Sequence, residues 1–304
     1  MSSIFQRPGD PYLYLYVERR WYCYDPSETP IGGGSMGTVY RGYDVETKER
    51  IAIKRVIDRY ANNSMIRERA KLEASLAFRH QNLVEMIGYC EYENGQGPIF
   101  ILSKFVNGEN VDKFIANLPD TPDRIEKICR IAYMVLDALE YIHEKGVVHR
   151  DIKPSNIMVE YGSNVRLMDL GIARMNSGNS FSHLGFIGTP QYSAPEQILR
   201  DSTGTTPINA STDIYALGIT LYELMTGANP FESTVEAETL MRQMRDILPD
   251  NKKIPKKLLA VLRKATAKNQ AERYQTAAEF RAAIEEGLIP SKSLWQRFVN
   301  WLKM

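Results

Sequence analysis

The 304-residue chain contains no run of about 18 apolar residues, so no segment is predicted to cross a membrane. Neither sign of charge is in excess: 38 Lys and Arg stand against 37 Asp and Glu, interspersed rather than blocked, for a net charge of +1. Such a surface exerts no strong pull on nucleic acid, which is not expected as a partner. Cysteine is scarce. Cys23, Cys90 and Cys129 are far apart, odd in number and in no metal-ligand spacing, which argues against a disulfide framework or a cysteine metal centre. Reduced, buried thiols fit a cytoplasmic location. The opening MSSIFQRPGD lacks the apolar core of a signal peptide, and the chain has neither an internal repeat nor a low-complexity tract. What is present is ordinary globular composition, 43% hydrophobic and 25% charged, in a length that suits about two domains and a sizeable core.

Residues 11 to 24 alternate aromatic and aliphatic side chains as a β-hairpin does. From Gly32 to about Tyr92 the chain reads as strand, glycine turn, two strands, a helix from about Ser64 to Phe78 and a strand from Leu83 to Tyr89. PIFILSKFV is a further buried strand. After Asn107 the character changes. Apolar residues at 125, 128, 131, 132, 135, 136 and 139 recur at helical spacing, and Gly146 stands as the stop. A strand-rich first part followed by a helix-rich second part, with the change near residues 104 to 110, predicts an α+β, two-lobed architecture.

The stretch HRDIKPSN, residues 149 to 156, sets five chargeable or cation-coordinating side chains between two apolar runs. Burying an unpaired charge costs several kcal/mol, so these groups must pair, bind a metal or face a cleft. Thirteen residues after Asn156 comes Asp169, closing another apolar strand, VRLMDLG. Asn156 and Asp169 offer the oxygen ligands Mg²⁺ prefers, water and phosphate oxygens completing the shell. Asp151 then has the place of a base toward a hydroxyl, and Lys153 that of a cation on a transferring phosphoryl group. Upstream, Gly32, Gly34 and Gly37 have G-x-G-x-x-G spacing, which either presents amides to phosphate oxygens or merely makes a tight hairpin. Lys54, in the apolar strand IAIKRVI, either snorkels at an edge or points at the same phosphates. A carboxylate to fix it is available on the next helix, Glu73 by preference with Glu68 as the alternative.

With these motifs in order the chain resembles a eukaryotic-type protein kinase of the Ser/Thr branch. The matching residues are GGGSMGTV at 32 to 39, AIK ending at Lys54, HRDIKPSN, DLG at 169 to 171, GTPQYSAPE at 188 to 196, Asp213 in STDIYALG, and Arg273 in QAERYQTAAEF. The resemblance implies a bilobal kinase fold and ATP-dependent phosphorylation of Ser or Thr in protein substrates, with Mg²⁺, or Mn²⁺ in its place. It implies ATP binding by Gly32, Gly34, Gly37, Val39, Ala52, Lys54, Ser103 and Phe105, with Glu73 pairing Lys54. It also implies catalysis by Asp151 with Lys153 and Thr189, and metal binding by Asn156 and Asp169. Structural roles are implied for a buried Glu196–Arg273 pair, for Asp213 as anchor of the catalytic loop, and for His149 as a core histidine. The competing readings are a pseudokinase scaffold, which needs none of Lys54, Asp151, Asn156 and Asp169, and a small-molecule kinase, which typically lacks the Glu196 and Arg273 elements.

The domain expectation is an N-terminal extension at 1–23, read as a hairpin, then a kinase domain at 24–287, and an amphipathic tail at 288–304. Within the kinase domain the N-lobe runs to about residue 106 and the C-lobe starts at about 107. Leu170 replaces the commoner Phe as a tolerated apolar swap, and Lys104 stands in the hinge where Glu is frequent. ILRDSTGTTPINAS, residues 198 to 211, reads as a surface loop. Ser103 closes the rear of the ATP pocket, unless the register is off by one and Leu102 fills that space. The resemblance places Arg150 and Arg174 near one another, so control is expected through Ser177, Ser180 and Ser182 opposite them, unless these serines merely make a flexible polar loop. In the tail, Leu294, Trp295, Phe298, Val299, Trp301 and Leu302 share one helical face, which suits docking on its own second lobe, then a protein partner, then a membrane surface.

Overall fold

The computed structural model describes residues 3–34, 37–56, 64–76, 78–92, 97–121, 123–161, 164–170, 181–182, 185–186, 189–203 and 207–288. The fold is α+β and divides into two compact units, Met1–Gly108 with Glu160–Ser177, and Glu109–Val159 with Gly178–Met304. The first is strand-rich. Strands β1 (Ile4–Gln6), β2 (Leu13–Val17), β3 (Arg20–Tyr24), β4 (Gly32–Gly34), β5 (Gly37–Asp44), β6 (Arg50–Val56), β7 (Met86–Glu91) and β8 (Ile99–Lys104) make one antiparallel sheet. Its order is β1-β2-β3-β5-β6-β8-β7, with β4 on β5. Helix α1 (Ser64–Ser75) belongs to the same unit.

Period-two alternation gives this sheet its two faces. Ile51 and Ile53 of β6 and Phe100 and Leu102 of β8 bury one face, and it is covered by Ile4, Leu15, Val17, Tyr22 and Tyr24 from the first three strands. The β2–β3 hairpin has the predicted place, Leu13 facing Tyr24 and Val17 facing Arg20. Its turn residues Glu18 and Arg19 both take positive φ, 47° and 64°, the geometry of two-residue hairpin turns. The sequence did not suggest β1, which is too short to show a period. Leu15 is fully buried in this cluster, so Leu15→Ala is expected to cost about 3 kcal/mol, read as a lower midpoint in urea unfolding. A midpoint equal to wild type would mean that the first strands do not close this core.

The opposite face carries Ala52, Lys54 and Ser103 together with the buried Val56, Ile99 and Ile101. Ala52 is opposite Ser103, Lys54 is opposite Ile101, and Val39 of β5 is opposite Lys54. Leu102 goes to the core and Ser103 to the Lys54 face, so Leu102 does not fill the space beside Ala52.

The second unit is helical: α2 (Val111–Ala116), α3 (Arg124–Glu144), α4 (Pro195–Thr203), α5 (Ala210–Thr226), α6 (Glu236–Arg245), α7 (Lys256–Ala265) and α8 (Ala277–Leu288). Helix α3 buries Ile128, Cys129, Ile131, Ala132, Val135, Leu136 and Leu139, and Gly146 follows it at φ 74°, as the stop signal requires. Helix α5 is buried on every side, from Ser211 to Tyr222, which is why it reads as apolar all round. A capping box of Asn209 and Thr212 starts it, and Gly227 in the left-handed region ends it. Gly218 lets α7 approach: a Cβ there would lie 2.8 Å from the Thr266 methyl. The expected loop at 198–211 is corrected, since its first six residues continue α4 through Thr203. Buried Ile198 fixes that helix, while its polar residues give the segment the look of a loop.

Candidate active site

In the first unit the glycine motif lies on β4 and the start of β5. Gly37 is required by packing, because a Cβ would come 2.6 Å from the Arg55 carbonyl oxygen. Gly32 and Gly34 are not: a Cβ at Gly34 meets nothing within 4 Å, and one at Gly32 makes only an ordinary 3.9 Å contact with Val39. Both positions are exposed, and no close contact at either demands glycine. Lys54 is 20% exposed in its side chain, and its Nζ forms an ion pair with Asp169 Oδ1 at 3.2 Å. Asp169 has φ 43°, a conformation that Asp tolerates better than most residues. Leu170 is buried beside it in sequence, as an apolar socket requires. Phe105 is half-buried, with the guanidinium groups of Arg50 and Arg41 5.0 and 6.0 Å from its ring centre. The Lys104 ammonium reaches Glu49 at 3.0 Å on the exposed surface. Glu73 lies on α1, but its side chain is outside the described residues, so no pairing with Lys54 is drawn. Glu68 is exposed.

In the second unit HRDIKPSN folds into a closed polar network. Asp151 Oδ2 accepts from Lys153 Nζ at 3.0 Å and from Asn156 Nδ2 at 3.0 Å, and Oδ1 accepts from the Thr189 hydroxyl at 3.1 Å. Lys153 Nζ also donates to Thr189 Oγ1 at 2.9 Å. Asn156 Nδ2 donates in addition to the Asp151 carbonyl at 2.8 Å. Four residues spread over 38 positions thus meet at one carboxylate.

The loop is held from below by Asp213, which is fully buried. Its carboxylate accepts the backbone N–H groups of His149 at 2.8 Å and Arg150 at 2.7 Å. These bonds stabilise Arg150 at φ 67°, a strained angle for arginine. His149 is buried, and its Nδ1 accepts the Asp151 N–H at 3.3 Å, in keeping with a core histidine. One anchor was missed in the sequence: His143, in the last turn of α3, places Nε2 2.8 Å from Asp213 Oδ2. A lone histidine six residues before HRD carries no local signal of that contact. Glu196 and Arg273 pair bidentately at 2.7 and 2.8 Å with both side chains buried.

The sequence profile described as "Protein kinase domain" matches residues 26–283. The chain belongs to the protein kinase domain family. It is 34% identical over 265 residues to the serine/threonine-protein kinase PknB of Mycobacterium tuberculosis, covering 84% of this chain and 41% of that protein. With serine/threonine-protein kinase PrkC of Bacillus subtilis it shares 31% over 276 residues, 88% of this chain and 41% of that protein. The chain therefore spans about two fifths of the length of these relatives. The crystal structure of the Mycobacterium tuberculosis PknI kinase domain superposes with a TM-score of 0.65 at 24% identity, over 94% of this chain and 99% of that one, a likeness of fold.

Members of this kinase family use ATP and Mg²⁺. The donors here suit a hard cation: a carboxylate at Asp169 and an amide oxygen at Asn156. The described residues hold no group of three or more His, Cys, Asp or Glu that could bind a metal ion by itself. Among the described residues no helix is long and apolar enough to cross a membrane. The serines at 177 and 180, with Arg174, and the tail beyond residue 288 lie outside the described residues, as does the side chain of Ser182.

Proposed function

We propose that this chain is a protein kinase that transfers the γ-phosphoryl group of ATP to Ser and Thr hydroxyls of protein substrates. The observation that carries the reading is the convergence of Lys153, Asn156 and Thr189 on the Asp151 carboxylate. A scaffold has no need of such a network, and threonine as its fourth member matches the Ser/Thr branch. Asp151 accepts the substrate hydroxyl proton while the hydroxyl oxygen bonds to the γ-phosphorus and the bond to the ADP oxygen breaks. Lys153 holds Asp151 in register and supports the negative charge on the moving phosphoryl oxygens. Lys54 binds the α- and β-phosphates with Glu73 as its partner. The bare backbone at Gly32, Gly34 and Gly37 lies over those phosphates, and Val39, Ala52, Ser103 and Phe105 surround the adenine. Asn156 and Asp169 would hold Mg²⁺, which supplies charge neutralisation of the phosphates.

ATP labelled in turn at the α- and γ-phosphorus, incubated with the chain and a generic basic protein, tests this reading. Label entering protein from the γ position alone is expected. Transfer from the α position, release of free phosphate without protein labelling, or no turnover at all would each overturn it, the last in favour of a scaffold.

A prediction about the pocket arises from the pairing of two small residues, Ala52 and Ser103, on the Lys54 face. Ser103→Met is expected to leave ATP turnover nearly unchanged. It should weaken an ATP-site inhibitor bearing a bulky aryl group at least about tenfold, about 1.4 kcal/mol. Equal inhibition of both forms would show that Ser103 does not border the nucleotide.

A further inference from the structure

Helix α1 carries Glu73, yet its described attachment to the sheet is largely ionic. Arg67, Lys71 and Ala74 recur at i, i+4 and i+7 and so share one face. Ala74 is buried with Val56, Ile99 and Ile101, but a methyl group buries little, and Leu72 is 44% exposed. The other two positions meet a single carboxylate at the end of β7. Arg67, only 8% exposed, pairs through Nη2 with Glu91 Oε2 and donates from Nη1 to the Gly97 carbonyl at 2.8 Å. Lys71 Nζ lies 2.5 Å from Glu91 Oε1. Burial alone would push the Glu91 carboxyl up, but its bonds to Lys71 and Arg67 outweigh this and hold it below its ordinary range. A near-buried guanidinium that lost this partner would be costly to keep in place, so Glu91 decides whether the helix seats.

The same residue is tied to the N-terminal strands, which lie outside the family match. Its carbonyl accepts the Ser3 hydroxyl at 2.9 Å, and the Ser3 carbonyl accepts the Tyr16 N–H of β2 at 2.7 Å. Beside it on β7, Gly88 at φ 147° faces Val17, where a Cβ would come within 2.7 Å of the valine methyl. Residues 3–17 therefore brace the strand whose last side chain holds α1.

We propose that Glu91 is a positioning residue for phosphoryl transfer, seating the helix that carries Glu73 through Arg67 and Lys71. This role rests on the kinase reading above. The test compares wild type, Glu91→Gln and Glu91→Asp as full chains by amide hydrogen exchange and by the ATP dependence of phosphate transfer. In Glu91→Gln, exchange is expected to rise in α1 while β5, β6 and α5 stay protected. Its kcat/KM for ATP should fall at least about tenfold, the equivalent of one charged hydrogen bond, and Glu91→Asp, which keeps the charge, should recover most of it. Unchanged exchange in α1 would overturn the seat. Faster exchange there with unchanged kcat/KM would overturn the positioning role, and a uniform rise across both units would reduce Glu91 to general stability. A wild type that transfers no phosphate, with α1 still loosened in Glu91→Gln, would remove the kinase reading and the positioning role with it, while leaving the seat intact.

Discussion

Replacing Asp151 with Asn is expected to slow phosphoryl transfer about a hundredfold to ten-thousandfold, the span that a positioned general base contributes. The substitution changes almost no volume. The bonds to Lys153 and Asn156 also survive it, because the new amide oxygen can take the place of Oδ2, while the bond to Thr189 reverses, the amide nitrogen donating to the hydroxyl oxygen. The thermal midpoint should therefore stay within a few degrees of wild type, because no buried group is left unsatisfied. What is lost is proton affinity at the one carboxylate where Lys153, Asn156 and Thr189 converge. Turnover within threefold of wild type at saturating Mg·ATP would mean that Asp151 does not take the proton.

The largest effect on stability is expected at Arg273. Its guanidinium is fully buried, donates twice to Glu196, and donates further to the carbonyls of Ala267 at 2.7 Å, Ser211 at 3.2 Å and Lys268 at 3.2 Å. Arg273→Met would leave the Glu196 carboxylate buried with only Thr212 and Gln270 as donors among the described residues, at 2.8 and 3.3 Å. Removing one partner of a buried pair costs about 3–5 kcal/mol. For a chain of this size that corresponds to a midpoint lowered by about 5–8 °C. Glu196→Gln should cost less, because the amide oxygen still accepts from Arg273 and the three carbonyls keep their donor. If the two variants proved equally stable, or if Arg273→Met moved the midpoint by less than about 3 °C, the pair would not be holding α4 to the segment after α7.

The contacts of Asp151 with Lys153 and Asn156 were legible because these residues are close in sequence. Within HRDIKPSN and VRLMDLG the local chain fixes which residues lie together, and charges set between apolar strands had to be explained. Contacts made over long separations were not legible. Nothing in YCEYE or in RERAK tells that Arg67 and Lys71 share Glu91, and nothing in YIHEKG points His143 at a carboxylate 70 positions on. Helix α4 was misread past Ile198 because Asp201, Ser202 and Thr203 give its last turn the composition of a loop. Strand β1, three residues long, makes a strand only because β2 is there to pair with it. Gly32 and Gly34 are the reverse case. Their sequence left a plain hairpin open as an explanation, and β4 does pair with β5, but no close contact at either position demands glycine.

The most direct measurement is phosphoamino-acid analysis of a protein acceptor offering Ser, Thr and Tyr, labelled by wild type and by Asp151→Asn with γ-labelled ATP and Mg²⁺. Phosphoserine and phosphothreonine from the wild type, both nearly absent with Asp151→Asn, are the expected result. Phosphotyrosine alone, or equal labelling by the two proteins, would contradict it.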